Sequence, residues 1–410
     1  MKYVHSKTLS NFSARATSRT HCGLGEWGVP RFWAEIYSHL VLSHQARSTQ
    51  TKRISYIDGL YEYADSAYGV FQLDRPITNV DVPGLSKILQ GYLVHLNNRA
   101  SINDIDGSSR WDASISFIRR TIELFGSGSL TEATRVTTAL EELKYKYGAL
   151  RPPARKKPLM PRALRSPVVL ALYKIFDPES PKNPFRGERN RYRNNLLFLI
   201  LLHLGLRTGE AMALPIDPVM SDVHPETGEV IHWISIRENL FSDYDRRYEE
   251  PGLKTIESNR QIPLALPLVR LIQTYQEGYR HRSDSPFLIT SEHGAPLSLP
   301  SVRYIFARAE KSLPSELAHQ VELFSGKKLS AYDLRHTCAV FKLRQLKKRY
   351  DHDDALVRLR RWFGWSSNSL MPTRYASAYL EEEAEPGLRE DFEAYKEALY
   401  KPWFGGRVDD

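Results

Sequence analysis

Apolar side chains recur at steps of three and four residues in four segments between residues 55 and 148. This spacing places them on one face of a helix and predicts amphipathic helices that share a core. The four stripes are Ile57, Leu60 and Ala64; Leu85, Leu89, Tyr92 and Leu96; Trp111, Ile115, Ile118, Ile122 and Phe125; and Val136, Leu140, Leu143 and Tyr147. The first part of the chain is therefore predicted to be a small helical bundle of about 100 residues, an ordinary domain size.

From about residue 167 onward the pattern mixes helix and strand. The apolar run 194–206 predicts a buried helix closed by Gly205, and Thr208 is a suitable N-cap for the next helix. Residues 229–240 and 260–266 alternate in the manner of strands, and residues after 301 are mostly helical in pattern. The predicted fold is mainly α with a small antiparallel β-sheet.

The stretch "RPPARKKPLMPRALRS", residues 151–166, separates these two regions and contains six basic residues, four prolines and no acid. Proline keeps such a linker extended, and a run of positive charge suits contact with a phosphate backbone; a solvated hinge is the alternative. The candidate DNA contacts are Arg155, Lys156, Lys157 and Arg162. The predicted organisation is a basic arm (1–48), the bundle (49–150), this linker (151–166), a second domain (167–390), and a C-terminal helix and tail (391–410).

Composition narrows the class of partner. The chain has 57 Lys and Arg against 48 Asp and Glu, a formal charge of +9, and a pI near 9.3, which favours nucleic acid or an anionic membrane surface. Its longest apolar run, Leu196–Leu202, is far shorter than the roughly 20 residues of a spanning helix, so no membrane span is expected. Cys22 and Cys338 provide no disulfide framework, which fits a reducing, cytosolic protein. The basic N-terminus is interpreted as a DNA-contacting arm or a disordered terminus, with a transit peptide as the alternative.

A cluster of charge surrounds the motif "YDLRHT". Ser330 and Asp333 form a capping box, which predicts that Tyr332 and Arg335 lie in the first turns of a helix. A helix N-terminus attracts anions, and an arginine adds a forked donor shaped for phosphate oxygens. Taken alone, the motif is interpreted as an arginine in a salt bridge with a nearby acid rather than as a phosphate site.

Further motifs accompany it in order along the chain. "LGLRTGEAMAL" (204–214) places Arg207 at a helix junction with Glu210 one turn later, and Lys254 lies at the end of a hairpin strand. "FGWSSNSLMPTRYASAY" (363–379) contributes Trp365 and Tyr375. Together these motifs resemble the tyrosine recombinase (phage integrase) family over most of residues 50–400. The resemblance implies a helical core-binding (SAM-like) domain, a basic linker and an α+β tyrosine-recombinase catalytic domain.

The resemblance also implies a role for each matched residue. Arg207 and Arg335 are expected to clamp the scissile phosphate, and Tyr375 to attack phosphorus and form a 3′-phosphotyrosyl link. Lys254 is expected to protonate the departing 5′ oxygen, and Trp365 to pack against the phosphate and hydrogen-bond to it. The residues expected to support this site without touching substrate are Glu210 and His336.

Two positions depart from the family's pattern. The family usually has histidine three residues before the second arginine, where this chain has Tyr332, and a phenol is a poor base near neutral pH. Trp365 precedes Tyr375 by one residue more than is common, which makes Tyr379 an alternative nucleophile. The presence of Tyr332 in place of the usual histidine is expected to slow turnover or to reroute the proton transfer.

The predicted function is site-specific recombination of double-stranded DNA through a Holliday junction, without cofactor or metal. The expected assembly is a tetramer of two dimers, with accessory DNA-bending proteins as further partners, in a cytoplasmic, nucleoid-associated setting. The alternatives are a catalytically impaired DNA-binding regulatory or architectural protein, a type IB topoisomerase-like enzyme, and a metal-dependent transposase. "HDD" (352–354) is interpreted as a solvated face, Cys338 as a core residue, and the helix after 391 as docking on a neighbouring protomer or on its own domain.

Overall fold

The computed structural model divides the chain into two compact units, Met1–Lys157 and Pro158–Asp410. It describes residues 30–45, 47–70, 72–103, 106–125, 130–150, 152, 163–245, 247, 251, 258–325 and 328–384. The division falls within the stretch predicted to be a linker. No helix of the described ranges is long and apolar enough to cross a membrane.

The described part of the first unit is helical. Its elements are α1 (Phe32–Leu40), α2 (Arg47–Tyr68), α3 (Asp74–Thr78), α4 (Val82–Asn103), α5 (Gly107–Phe125) and α6 (Leu130–Tyr147). The four stripes predicted from periodicity lie on α2, α4, α5 and α6, and most of their residues are buried in a single core. The predicted helical bundle is therefore present.

The bundle begins earlier than expected. Residues up to 48 were assigned to a basic arm, yet α1 buries Trp33 and Tyr37 in the bundle core. The indole N–H of Trp33 donates to the hydroxyl of Thr78 at the end of α3, with 3.0 Å between the two heavy atoms. The arm can extend only to about residue 30, because α1 packs as part of the bundle.

The second unit combines helices with one sheet. Its elements are α7 (Ser166–Phe176), α8 (Glu188–Leu199), a π-helical turn (Ile200–Leu204), α9 (Thr208–Met212), β1 (Val219–Val223), β2 (Val230–Ile236), a 3₁₀ turn (Ser242–Tyr244), β3 (Arg260–Leu264), α10 (Leu266–Thr274), a second π-helical turn (Tyr275–Tyr279), α11 (Leu299–Lys311), α12 (Ser315–Ser325), α13 (Ala331–Lys347), α14 (His352–Phe363) and α15 (Met371–Ala384). The prediction of a mainly α fold with a small antiparallel β-sheet is confirmed.

The sheet has the order β1-β2-β3 and is antiparallel throughout. β2 and β3 correspond to the two predicted strands, and Ile234 pairs with Ile262 in the buried centre of the sheet. β1 was not predicted because it is mostly exposed and lacks an alternating apolar face.

The capping box predicted for α13 is present. The backbone N–H and the hydroxyl of Ser330 both donate to Oδ2 of Asp333, each over 2.8 Å. This cap starts α13 at Ala331 and places Arg335 in its second turn, buried against the core of the second unit.

Candidate active site

Arg207 lies at a sharp junction before α9. The preceding π-helical turn ends at Gly205, whose φ of +62° is in the left-handed region that favours glycine. A Cβ at this position would lie 2.4 Å from Cε1 of Phe363, so a larger residue does not fit without displacement. Arg207 itself is the N-cap, one residue earlier than the predicted cap at Thr208.

Arg207 is held by Glu210, three residues further along. The backbone N–H of Arg207 donates to Oε2 of Glu210 over 2.9 Å, and Nη1 donates to Oε1 over 2.6 Å. Nη1 also donates to the hydroxyl of Ser258 over 3.0 Å, and Nη2 to the carbonyl of Gly364 over 3.2 Å. These bonds fix the plane of the Arg207 guanidinium from several sides.

Arg335 approaches the same carboxylate from α13. It is 2% exposed, and its Nη1 lies 3.7 Å from Oε2 of Glu210. Its Nη1 donates to the carbonyl of Gly205 over 2.5 Å, and its Nη2 to the carbonyl of Phe363 over 2.8 Å. Arg207 and Arg335, which are distant in sequence, therefore converge on Glu210.

A third arginine, Arg260, was not predicted to be a site residue. From β3 its Nη1 and Nη2 donate to the two oxygens of Glu210 over 3.1 and 2.8 Å. Its Nε donates to the carbonyl of Trp362 over 2.7 Å, and its Nη1 to the carbonyl of Ser258 over 2.8 Å. Arg260 thereby connects β3 to the end of α14 and to the carboxylate beneath the cluster.

A signal for Arg260 was present in the sequence. In β3 the buried residues are Ile262 and Leu264, and Arg260 is in phase with them. A charged residue on the inward-facing phase of a strand requires a buried partner, which here is Glu210.

The cluster carries excess positive charge. Among the described residues, the ion pairs of these three guanidiniums all go to one carboxylate, which leaves a formal charge of +2. Burial alone would raise the pKa of Glu210, but its hydrogen bond with Arg260 and the charges of Arg260, Arg335 and Arg207 lower it below its ordinary value. Burial lowers the pKa of Arg335 to about 10, despite the opposing charge of Glu210. An anion such as a phosphodiester would compensate this excess charge.

Tyr375 lies beside the arginine cluster on α15. It is 1% exposed, and its ring stacks on that of Trp365 with 5.3 Å between centroids and 14° between planes. Trp365 stacks in turn on Phe363, whose carbonyl accepts from Arg335. Burial raises the pKa of Tyr375, the charge of Tyr332 adds to this, and the positive charge of Arg335 opposes it. The phenol is thus neutral at rest and within the electrostatic reach of the cluster.

His336 contacts the hydroxyl of Tyr375 through its Nδ1 atom. On the other side, the ring of Tyr332 packs edge-on against His336, with 4.2 Å between centroids and 80° between planes. Tyr332 is 52% exposed and forms the outer wall of this row of rings. His336, expected to support the site from behind, is therefore in direct contact with the candidate nucleophile.

The alternative nucleophile has different neighbours. Tyr379 lies one turn after Tyr375 on α15 and is partly buried. Its ring faces Lys347, whose ammonium is 4.4 Å from the ring centroid, and Arg344, whose guanidinium is 5.5 Å away. These cation–π contacts favour Tyr375 over Tyr379 as the residue facing the arginine cluster.

Some of the predicted functional residues and segments are not among those that the structure describes. The segments from 391 to the C-terminus and from 1 to 29 lie outside the described residues. The same is true of the hairpin lysine and the four linker contacts, which are Lys254, Arg155, Lys156, Lys157 and Arg162. Their roles remain predictions.

The structure agrees with the interpretation of Cys338 as a core residue and of residues 352–354 as a solvated face. Cys338 is buried, and burial raises the pKa of its thiol to about 12, which leaves it unreactive near neutral pH. His352, Asp353 and Asp354 are exposed at the start of α14. Within the described ranges, no group of three His, Cys, Asp or Glu side chains is arranged to hold a metal ion.

Comparison with solved structures finds weak likenesses over nearly the whole chain. XerA recombinase aligns with a TM-score of 0.36 at 14% identity, over 86% of this chain and 96% of that chain. XerH site-specific recombinase bound to its difH substrate gives 0.40 at 16% identity, over 87% and 94%. A lambda integrase (75-356) dimer bound to a COC′ core site gives 0.42 at 15% identity, over 84% and 94%. No family model and no curated protein matches the sequence. At these TM-scores the likenesses assign no function, which must be inferred from the residues of the site.

Proposed function

We propose that this protein is a tyrosine recombinase that cuts and rejoins strands of double-stranded DNA at specific sites. The observation that carries the proposal is the convergence of Arg207 and Arg335 on Glu210, beside the buried phenol of Tyr375. The order of motifs along the chain supports the same chemistry. Both the basic cluster and the phenol are required, because the arginines bind a phosphate and the phenol attacks it.

Arg207 and Arg335 bind the non-bridging oxygens of the scissile phosphate. Their guanidiniums are held rigidly by Glu210 and by backbone carbonyls, so little reorganisation is needed when charge develops on the pentacoordinate transition state. Arg260 holds the shared carboxylate and acts on the phosphate only through Glu210. Excess positive charge in a buried setting stabilises the transition state more than it would in water.

Tyr375 is the nucleophile. Its oxygen forms a bond to phosphorus, the bond from phosphorus to the 5′ oxygen breaks, and the leaving oxygen takes up a proton. The motif resemblance implies that Lys254 supplies this proton. A 5′ hydroxyl from the partner strand then reverses these steps, so ATP is not needed. Because Tyr375 is buried in the structure, we expect DNA binding to open access to its hydroxyl while the contact of that hydroxyl with Nδ1 of His336 is kept.

The motif resemblance extends the proposal to partners and assembly. Four protomers act on two DNA sites through a Holliday junction, and accessory DNA-bending proteins assist. The linker residues Arg155, Lys156, Lys157 and Arg162 contact the phosphate backbone, in a cytoplasmic, nucleoid-associated setting. The likeness of the motifs to those of integrases also suggests a mobile genetic element as the source of the gene.

The test is covalent trapping on a nicked suicide substrate. The recognition sequence is first located by footprinting on DNA that flanks the gene. Wild-type protein and the matched control Tyr379→Phe are expected to form an adduct that survives denaturation, and Tyr375→Phe is expected to form none. Tyr379 is a suitable control because it differs from Tyr375 by one helical turn on α15.

Other outcomes distinguish the alternatives. Tight, site-specific binding without any adduct would overturn catalysis and favour a DNA-binding regulatory or architectural protein. Relaxation of supercoiled DNA without sequence preference would favour a type IB topoisomerase. An adduct in Tyr375→Phe that disappears in Tyr379→Phe would move the nucleophile to the alternative position.

A further inference from the structure

We infer that His336 is the base that removes the proton from Tyr375, a role that the motif resemblance assigns to position 332. The inference rests on the proposed function and identifies a catalytic residue that the motif pattern does not. It is carried by the direct contact between Nδ1 of His336 and the hydroxyl of Tyr375. A general base must lie within hydrogen-bond reach of the proton that it abstracts.

Helix geometry explains how the role can move. Residues four apart on a helix are neighbours on one face, so position 336 reaches the same space as position 332 from one turn further along α13. In this chain Tyr332 occupies the outer position and packs its ring edge against the imidazole. A phenol with an ordinary pKa near 10 is a poor proton acceptor near neutral pH, whereas an imidazole, with an ordinary pKa near 6.5, is a good one.

The surroundings of His336 favour a defined orientation. The imidazole is 9% exposed and lies between two rings, that of Tyr332 on α13 and that of Tyr375 on α15. The titratable or charged groups that act on Tyr375 are Tyr332, Arg335 and Cys338. Packing on both sides thus holds the imidazole with Nδ1 toward the phenol.

The proton balance is complete without an additional reactant. In the neutral tautomer with its proton on Nε2, His336 accepts a hydrogen bond from the hydroxyl of Tyr375 at Nδ1. As the oxygen of Tyr375 bonds to phosphorus, its proton passes to Nδ1 and an imidazolium forms. The bond to the 5′ oxygen breaks, and that oxygen is protonated separately, by Lys254 in the proposed function. On rejoining, the imidazolium returns the proton to the oxygen of Tyr375.

The test uses His336→Asn in the full-length protein. Asparagine keeps a polar group near the position of Nδ1 and can hydrogen-bond to the phenol, but it does not accept a proton near neutral pH. The matched control is His352→Asn at an exposed position on α14. The rate of adduct formation is measured on the suicide substrate at saturating protein. We expect His336→Asn to lower the rate at least about 100-fold, as for loss of a general base, and His352→Asn to leave it unchanged.

A second substrate separates the base from the acid. In a 5′-bridging phosphorothiolate the leaving sulfur needs no protonation. On this substrate the rate of adduct formation by Lys254→Ala is expected to return to that of the wild type, whereas His336→Asn is expected to remain slow. The pH profile supplies a third readout, because the wild-type rate should rise through an imidazole ionisation and the His336→Asn rate should rise only at higher pH, where the phenol ionises unaided.

The outcomes are distinguishable from failure of the proposed function. If the wild type forms no adduct, the proposed function fails and the inference fails with it. If the wild type forms the adduct and His336→Asn matches it in rate and pH profile, the inference alone is overturned. Rescue of His336→Asn by the phosphorothiolate would also overturn it, since the histidine would then act on the leaving group. DNA affinity and alkylation of Cys338, measured in parallel, detect a merely structural loss, and a rate defect fully accounted for by such a loss counts against the inference.

Discussion

Replacing Glu210 with glutamine removes the carboxylate that the three arginines share. In the folded protein Glu210 accepts two hydrogen bonds from Arg207 and two from Arg260, and it lies 3.7 Å from Arg335. Glutamine has nearly the same volume but carries an NH₂ group in place of one oxygen. That group faces guanidinium donors instead of accepting from them, and three positive charges, two of them on nearly buried side chains, lose their counter-charge.

The expected loss of stability is large. Removing one partner of a buried ion pair costs about 3–5 kcal/mol, because the remaining charge stays buried without compensation. The side chain of Glu210 is fully buried, and those of Arg260 and Arg335 nearly so, so solvent screening reduces this figure little. For a cost of about 3 kcal/mol and an m-value of roughly 2–3 kcal/mol/M, the urea midpoint of the second unit falls by about 1–1.5 M.

The assay follows alkylation of Cys338 in increasing urea. Cys338 is buried in the second unit and becomes reactive only when that unit opens, so it reports on the unit that contains the site. The background variant Cys22→Ser leaves a single thiol. The matched control is Glu292→Gln, whose carboxylate is exposed beside His293 and is worth at most about 1 kcal/mol. Equal midpoints for Glu210→Gln and Glu292→Gln would refute the central role of Glu210.

The difference in stability between wild type and Glu210→Gln depends on pH because the pKa of Glu210 is lowered in the folded protein. A carboxyl whose pKa is lower in the folded state stabilises the protein fully above its ordinary value of 4.5. This stabilisation is lost as the pH falls through the folded value. The difference in stability between wild type and Glu210→Gln should therefore be constant from pH 7 to about 4.5 and should become smaller below pH 4.5. A gap that widens on acidification contradicts the reasoning.

Three further predictions concern Gly205, Arg260 and the basic linker. Gly205→Ala, which combines a φ of +62° with a Cβ 2.4 Å from a ring carbon, should destabilise the second unit by about 2–3 kcal/mol in the alkylation assay. The control is Gly228→Ala, which has a φ of +68° and open space around the added Cβ and should lose only about 1 kcal/mol of stability. Equal losses of stability in the two variants would exclude a contribution from packing at Gly205. Arg260→Lys retains the charge, but lysine cannot bond at once to the carboxylate of Glu210 and to two backbone carbonyls. Adduct formation should therefore slow about 10-fold while DNA affinity is kept. The control is Arg358→Lys at an exposed position, and equal rates of adduct formation for the two variants would contradict the positioning role of Arg260. Neutralising all four linker cations should lower the slope of log affinity against log salt by about 3.6, at about 0.9 per charge, and an unchanged slope would exclude them from the DNA interface; they are Arg155, Lys156, Lys157 and Arg162.

Local features of the fold were predictable from the sequence. The helices of the bundle, the closure at Gly205 and the cap formed by Ser330 and Asp333 all depend on residues within one or two turns of each other. Such short-range spacing is recorded directly in the order of residues. Elements without that spacing were missed: β1 exposes most of its side chains and therefore has no alternating apolar face. In α1 the signal was present, since Trp33, Ile36 and Tyr37 have helical spacing, but the basic segment before it obscured the boundary.

The motifs by themselves singled out Arg207, Arg335 and Tyr375 as a set, because their order along the chain resembles that of a known family. The resemblance also implied supporting roles for Glu210 and His336, but not which atoms these side chains contact. Only the tertiary structure showed that Arg335 on α13 and Arg260 on β3 meet Glu210 on α9, and that the imidazole of His336 contacts the phenol. The contact of Arg260 with Glu210 joins residues 50 positions apart in sequence, and that of His336 with Tyr375 joins residues 39 positions apart. Pairings over such distances depend on how whole elements pack, and packing is a property of the assembled core that no local spacing records.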